Sequence, residues 1–484
     1  MINTRENYLQ VLRQLDIVHS RTDAMYRDMP IWPVVRMLLG YRLHLTTVDQ
    51  KMDLSWPTIN WFSSNSLPDL LYNLLDKLLS YGADHIADAP LVVAIHSNHD
   101  RVVDDSSSRK SNVVLGGIVD ELASLDLPFT IWDLHQPIWK TNTRIGAVLK
   151  HHARAVKRSI LKDPTFQKLL DQVANELRTF QYHFSQLSFH EWASEQFALF
   201  YAQHLIYKDL LSHTSIKALL IYNFYNPQTM GLIAAAKKKG IKVLEYQHSQ
   251  IAKSHFAFSS FIRNYDINCW RWFVPDHFLL WRELDRKLIS EYFYGKLNVQ
   301  ASVVGRLFKR NTFLKCLNSK LEGEVVILVA LQGLKLPAYI IDTIGKSDYV
   351  KWLIREHPRY PISDSYREEW NSLMNNCNHI TFDKTTSVEC TLLNVDAVLT
   401  AFSGIALEAS LLSLPVLICD ESGADVYKEE IASDLMVFIK DGSHFESEII
   451  KLNGKKVKLS AESIEEQLSL NYKASINILK QYVL

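Results

Sequence analysis

The chain has 484 residues, more than one ordinary hydrophobic core accommodates, so two or more domains are expected. Its 53 basic side chains are balanced by 53 acidic ones, which removes the global positive field expected of a nucleic-acid binder. No apolar run approaches the length of a membrane span, and MINTRENYLQ lacks the apolar segment of a secretory leader. Five scattered cysteines (Cys269, Cys316, Cys377, Cys390 and Cys419) have no CxxC spacing, which argues against zinc or a disulfide framework and predicts reduced thiols in a cytoplasmic protein.

Residues 1–88 read as a helical extension. Tyr8, Leu12 and Leu15 keep helical spacing, and PIWPVVRMLLGYRLHL carries an apolar face. A cap on the following domain is one reading, and a surface for an acceptor or a membrane is the other. PLVVAIHSNHD then predicts the first strand of a Rossmann-like unit ending in the polar cluster His96, Ser97, Asn98, His99 and Asp100. Gly116-Gly117 falls inside the predicted helix NVVLGGIVDELASL, where paired glycines point to close packing. FTIWDLHQ predicts a second strand.

Seven Lys or Arg residues and no carboxylate lie from Lys140 to Lys162. Lys150, Arg154, Lys157 and Arg158 share one helical face, which suits an anionic membrane or glycan, or alternatively a solvated face. The aromatic-rich stretch 163–213 reads as core helices. KALLIYNFYNPQTMGLIAAAKKKGIKVLEYQHSQ predicts strand, helix, strand, with Pro227 in the first helical turn and Gly240 at its end. Asn223 and Tyr225 follow the first of these strands, and Glu245, Gln247 and His248 end the second. DHFLLW is expected to be the last strand of this domain, with the boundary near Asn298.

VQASVVGRLF is expected to open a second Rossmann-like domain at Val299, with Gly305-Arg306 after its first strand. VVILVALQG predicts a strand ending at Gln332 and Gly333, and VKWLIREHPRYP one ending at His357, Pro358 and Arg359. DAVLTA predicts a further strand, after which Ser403-Gly404 opens a helix whose Ile405, Ala409 and Leu412 keep helical spacing. Pro415 stops that helix, and PVLICD is the next strand. Parallel strands place ligands at their carboxyl ends, and a helix N-terminus suits a phosphate. His357 and Ser403 should therefore face one crevice, with Glu408 a turn deeper on the helix. The tail 460–484 reads as a helix.

The HP dipeptide at one strand end, followed by S-G-x-x-L-E-A and a proline-led strand, resembles the donor half of GT-B-type glycosyltransferases. It is similar to bacterial surface-polysaccharide enzymes, including sialyltransferases, Kdo transferases and teichoic-acid glycerophosphotransferases. EYQHSQI resembles an EhQHG-type segment of polysaccharide glycosyltransferases, with Ser249 where glycine is usual.

The resemblance implies an α/β fold of two Rossmann-like domains facing a central cleft: 89–298 for the acceptor and 299–459 for the nucleotide-sugar donor. The helix at 460–484 is expected to return to the first domain. It further implies that His357 and Ser403 contact the donor phosphate and Glu408 the ribose, with Arg306, Gln332, Pro358, Arg359 and Gly404 completing the donor site. His96, Asn98, Asn223 and Tyr225 are the acceptor candidates. By position rather than by resemblance, His248, which ends the strand nearest the matching residues, is the preferred catalytic base, ahead of Glu245, Asp100, His96 and His99.

No DxD in a strand-end context, HExxH, Walker loop or G-x-S-x-G elbow is present, so a metal-independent enzyme with no cofactor beyond its nucleotide-sugar substrate is expected. The expected reaction moves a sugar, with a CMP-linked acidic sugar slightly favoured over UDP or GDP donors, to a growing capsule, O-antigen or lipopolysaccharide glycan. The expected location is cytoplasmic, with peripheral contact at the inner face of the membrane. The alternatives are a nucleotide-sugar 2-epimerase or CDP-polyol phosphotransferase, and a non-catalytic glycan-binding subunit.

Overall fold

A computed structural model describes residues 4–19, 24–48, 56, 89–104, 109–134, 143–253, 255–258, 267–293, 297–308, 316, 325–357, 361–383, 387–454 and 461–484. Pro358 and Arg359 lie outside the described residues. Asn98 and Asp100 are described in their backbone only. Among the described residues no helix is long and apolar enough to cross a membrane.

Sixteen strands are described: β1 Met25–Tyr26, β2 Met29–Pro30, β3 Leu91–Ile95, β4 Asp100–Asp104, β5 Arg109–Asn112, β6 Phe129–Asp133, β7 Ala218–Ile221, β8 Lys242–Tyr246, β9 His277–Leu280, β10 Gln300–Val303, β11 Val325–Ala330, β12 Val350–Arg355, β13 Ile380–Phe382, β14 Ala397–Thr400, β15 Val416–Ile418 and β16 Val437–Phe438. The chain divides into two compact units. The first holds residues 1–99, 119–304 and 475–484, and the second 100–118 and 305–474.

The first unit is built on a parallel sheet of order β10-β9-β8-β7-β3-β6. The second is built on a parallel sheet of order β13-β12-β11-β14-β15-β16. Each is a Rossmann-like doubly wound sheet, and each reverses its strand order once: between β3 and β7 in the first, and between β11 and β14 in the second.

Strand residues of the second sheet alternate between two apolar layers. Leu328, Ala330, Val398, Val416 and Ile418 enter one core, while Ile327, Val329, Trp352, Ala397, Leu399 and Leu417 enter the other. Both faces are covered, which is why β11, β14 and β15 read as largely apolar runs, while β12 alternates, with Lys351 and Arg355 half-buried between buried Val350, Trp352 and Ile354.

Three boundaries differ from the sequence reading, and the last helix returns to the first unit at its end. Gln300–Val303 does not open the second sheet. It pairs parallel to β9 and closes the edge of the first, because VQASV continues the strand–helix–strand rhythm after the helix Glu283–Phe293. DHFLLW is therefore not the last strand of that sheet. The segment 100–118, expected inside the first domain, groups with the second unit and carries the antiparallel hairpin β4–β5. The helix after it begins at Gly116, so the glycine pair opens the helix. A Cβ on Gly117 would stand 2.6 Å from the Tyr472 hydroxyl and 3.3 Å from the Leu307 carbonyl. The last helix, Ala461–Val483, gives Ile464 and Leu468 to a core of the second unit, and its end belongs to the first, where Lys217 Nζ donates to the Val483 carbonyl at 2.9 Å.

Two charge readings also change. Cys316 and Cys390, expected as thiols, form a disulfide across 74 residues with Cα atoms 5.1 Å apart. Tertiary packing, invisible in the spacing, joins them. Lys157 of the basic face donates to Glu195 at 2.7 Å and to Glu191 at 3.4 Å, both on the long helix Gln186–Ser212. It is therefore part of helix–helix packing and does not belong to a solvated stripe.

In the N-terminal extension the helices Thr4–His19 and Ile31–Val48 are joined by a fully buried ion pair. Arg36 Nε meets both Asp16 oxygens at 2.7 and 2.8 Å, and Arg36 Nη1 donates to the Phe256 carbonyl at 3.0 Å. Each side chain is 1% exposed, so removing one partner strands a buried charge. Asp16→Ala should cost about 3–5 kcal/mol. Urea unfolding of the full chain, followed by tryptophan fluorescence, checks this. A loss below about 1 kcal/mol, the range of solvent-exposed pairs, would contradict it.

Candidate functional site

In the first unit the strand reversal gathers side chains from the ends of β3, β7 and β8. The Tyr222 hydroxyl accepts from the His96 backbone N–H at 2.9 Å and lies 3.2 Å from the His96 carbonyl, which fastens the end of β7 to the end of β3. His99 stacks on the Tyr222 ring with centroids 5.4 Å apart, and His96 Nε2 lies 3.3 Å from Thr229 Oγ1. Ser97 N–H donates to Asp133 Oδ1 at 3.0 Å, tying this loop to β6.

Asn223 then takes a left-handed conformation, with φ of 64°. Asparagine tolerates that region better than most residues, and such outliers gather at functional sites. Its side-chain Oδ1 is buried with no hydrogen-bond partner. The turn is held by Glu245 on the neighbouring strand, whose Oε2 accepts the Phe224 N–H at 2.9 Å. Burial pushes the Glu245 carboxyl well above the usual carboxylate range, against the opposing pull of the Phe224 and Asn223 N–H groups. Glu245 is 3% exposed. It acts by fixing the geometry of the turn.

His248 is half-buried, with Nε2 3.4 Å from the Tyr225 hydroxyl and 3.3 Å from Ser249 Oγ. Burial and, secondarily, the nearby Glu245 raise the Tyr225 phenol, so it stays an O–H donor beside the imidazole. Gln247 anchors this segment. Its Oε1 accepts the Trp281 N–H at 2.7 Å, and its Nε2 donates to the Ser249 carbonyl at 3.0 Å. Of the acceptor and base candidates, His96, Asn223, Tyr225, Glu245 and His248 are thus brought together.

In the second unit the strand reversal lies between Ala330 and Thr400. Thr400 Oγ1 donates to the Ala330 carbonyl at 2.8 Å and accepts the Ser403 N–H at 3.2 Å. The Tyr427 hydroxyl donates to the Ser403 carbonyl at 2.7 Å. A Cβ on Gly423 would fall 1.7 Å from the Ala401 carbonyl, so only glycine lets the helix Glu421–Val426 reach the strand end. The loop Thr400–Gly404 is fixed on three sides.

Gln332 follows β11, its Oε1 buried without a hydrogen-bond partner, and Gly333 turns at φ of 75°. His357 follows the adjacent β12 and is half-buried. Gln332, His357 and Ser403 therefore end three neighbouring strands, which lie roughly 5 Å apart.

Three expectations about this half change. The helix after Ser403 is capped by Gly404 and spans only Ile405–Leu411. The Ser403 N–H is engaged by Thr400, and the first-turn N–H groups of Ala406 and Leu407 turn back to the Ser403 and Gly404 carbonyls at 3.0 and 3.1 Å, so a dipole with free N–H groups is a minor contribution here. Arg306, read as a donor contact, is 5% exposed and surrounded by protein acceptors: Val113 O at 2.9 Å, Leu307 O at 3.1 Å and Glu408 Oε1 at 3.2 Å. Its contacts tie it to Glu408 and to two backbone carbonyls. Burial raises the Glu408 carboxyl while Arg306 opposes that shift, leaving a 19% exposed carboxylate at a fixed position.

Arg355 beside His357 is likewise engaged, by Asp383 and by Thr391 Oγ1 at 3.1 Å. Sequence reasoning missed Tyr222, Thr400 and Tyr427, whose hydroxyls act through tertiary contacts that leave no motif. Among the described residues no group of three or more His, Cys, Asp or Glu is placed to hold a metal ion.

No protein-family model matches the chain, and no curated protein matches its sequence. Solved structures do resemble it at low identity. The UDP-GlcNAc 2-epimerase from Methanocaldococcus jannaschii is 12% identical with a TM-score of 0.45, covering 81% of this chain and 99% of that one. The UDP-GlcNAc 2-epimerase from Neisseria meningitidis, bound to UDP-GlcNAc, is 14% identical with a TM-score of 0.47, covering 81% and 99%. A lipopolysaccharide outer core galactosyltransferase in its apo form is 12% identical with a TM-score of 0.43, covering 81% and 99%. At these values no reaction is carried over from any of them.

The raised Glu245 carboxyl has a thermodynamic sign. The folded chain holds that proton more tightly than the unfolded chain does. The associated stability is complete below the ordinary value of 4.5 and is lost as pH rises through the folded value. Glu245→Gln keeps an oxygen for the Phe224 N–H and removes the titration. The melting temperature of the variant relative to wild type should climb from pH 4.5 through neutrality. A pH-independent difference would show that Glu245 ionises normally.

Proposed function

We propose that the chain is a glycosyltransferase of the GT-B type that moves a sugar from a nucleotide-activated donor to a bacterial surface glycan. In this reading the second unit binds the donor and the first supplies the acceptor site and the base. One observation carries it: the strand order β13-β12-β11-β14-β15-β16 reverses where Gln332 and Ser403 end neighbouring strands, with His357 one strand away. Open α/β sheets bind nucleotides at that position. The HP and S-G-x-x-L-E-A residues supply the anion and ribose contacts that the position calls for.

In this mechanism an acceptor hydroxyl loses its proton to His248 Nε2 as its oxygen attacks the anomeric carbon. The bond from that carbon to the donor phosphate breaks, and the nucleotide leaves with the electron pair. His357 and the Ser403 hydroxyl stabilise the charge that develops on the leaving phosphate, by fixed groups set before the reaction begins. Glu408, oriented by Arg306, receives the ribose hydroxyls. A CMP-linked acidic sugar is the favoured donor, and a divalent metal is not required.

The test is a thermal-shift screen of CMP, CDP, UDP and GDP against the full chain in excess EDTA. One nucleotide at a hundredfold excess over its Kd should stabilise by about 2.7 kcal/mol. His357→Ala should lose most of that gain. In a transfer assay with that nucleotide's sugar donor, His248→Ala should lower kcat far more than donor affinity. Stabilisation that appears only with added magnesium or manganese contradicts the metal-free mechanism. No stabilisation by any of the four, with or without metal, contradicts the donor assignment.

A further inference from the structure

The N-terminal extension reaches the candidate acceptor site through one packed aromatic group. Gly40 sits against Phe256, where an added Cβ would lie 2.9 Å from the ring, so glycine lets the helix Ile31–Val48 close onto it. The buried Arg36, fixed by Asp16, holds the Phe256 carbonyl at 3.0 Å. These two contacts set the helix so that the next residue, Tyr41, lies against Phe256 at the surface. Its ring is 50% exposed and meets Phe256 edge-on at 6.2 Å.

Phe256 in turn stacks with His255 at 4.6 Å and meets Tyr225 at 5.3 Å, and Tyr225 reaches His248. An exposed tyrosine, a half-buried histidine and a half-buried tyrosine therefore gather around the buried Phe256, and His255 also meets Tyr225 at 5.0 Å. Two residues before Tyr225 stands Asn223, in left-handed backbone with an amide oxygen lacking a hydrogen-bond partner.

We propose that Tyr41, His255 and Tyr225 form a sugar-stacking subsite for a residue of the acceptor glycan beyond the one that reacts. A pyranose ring has an apolar C–H face and a rim of hydroxyls. It matches flat aromatic faces interspersed with phenol, imidazole and amide groups, and it matches a purely apolar groove poorly. The basic face of the helix Thr143–Ile160 is the competing feature, but its Lys157 is already paired with Glu195 and Glu191. The inference rests on the acceptor role proposed for the first unit. It assigns the N-terminal extension a part in glycan recognition beyond capping that unit.

The experiment is an array of bacterial surface-polysaccharide and lipooligosaccharide fragments probed with the full chain as wild type, Tyr41→Ala and Tyr41→Phe. The same preparations are tested for stabilisation by CMP, CDP, UDP and GDP. Tyr41 is exposed, so its removal leaves the fold intact. Wild type should bind at least one fragment class. Tyr41→Ala should weaken that binding about tenfold, Tyr41→Phe should stay within about twofold of wild type, and nucleotide stabilisation should be equal in all three. Equal glycan binding by wild type and Tyr41→Ala overturns the subsite. So does a wild-type chain that takes nucleotide but no fragment, an outcome that leaves the donor assignment standing. Tyr41-dependent glycan binding with no nucleotide stabilisation supports the subsite and overturns the transferase reading.

Discussion

In both sheets a single hydroxyl fastens together the two strands between which the order reverses. Tyr222 bridges β7 to the backbone of His96 after β3, and Thr400 bridges β14 to the Ala330 carbonyl of β11. A reversal is where adjacent crossovers leave in opposite directions, so helices do not close over the strand ends there. The backbone groups at those ends still need partners. A side-chain hydroxyl supplies one without filling the opening, and loops that would otherwise be mobile become fixed. Each candidate site is built on that fixed edge.

Buried carboxylates do the remaining positioning. Glu245 is held by backbone N–H groups and Glu408 by a buried arginine, and burial raises both. They represent two solutions to the cost of keeping an acid out of water. Glu245 favours its protonated form and serves the turn at Asn223, its geometric neighbour and one of the residues of that unit, with Arg27, Asp126 and Gln181, that take a left-handed conformation. Glu408 keeps a cationic partner and a partly open face, the arrangement expected of a group that meets polar hydroxyls. Arg306 is anchored in protein, with donors directed at Val113, Leu307 and Glu408.

Much of this was legible in the sequence where a local signal existed. The strands VVILVA, AVLT and VLI, and the WLI centre of VKWLIR, were readable because each is a short apolar run. His357, Gln332 and Ser403 followed from their places at strand ends. Gln300–Val303 was misassigned because an edge strand of four residues carries no mark of which sheet it joins. The hairpin β4–β5 was missed because its polar residues look like a loop extending from the preceding strand. Cys316 and Cys390, Lys157 and the glutamates of the long helix, and Tyr427 and the Ser403 carbonyl meet only through tertiary packing, which spacing along the chain does not encode. The short helix after Ser403 corrects a dipole argument that the sequence invited: it has seven residues, and its Ala406 and Leu407 N–H groups are already held by the Ser403 and Gly404 carbonyls.

The central claim is that a nucleotide sits at the reversal of the second sheet. Hydrogen exchange of the full chain, with and without the nucleotide that stabilises it most, locates that ligand directly. The account predicts new protection over residues 331–334 and 400–408, with His357 at its edge. Protection confined to residues 222–226 and 245–249, with 331–334 and 400–408 unchanged, would contradict it.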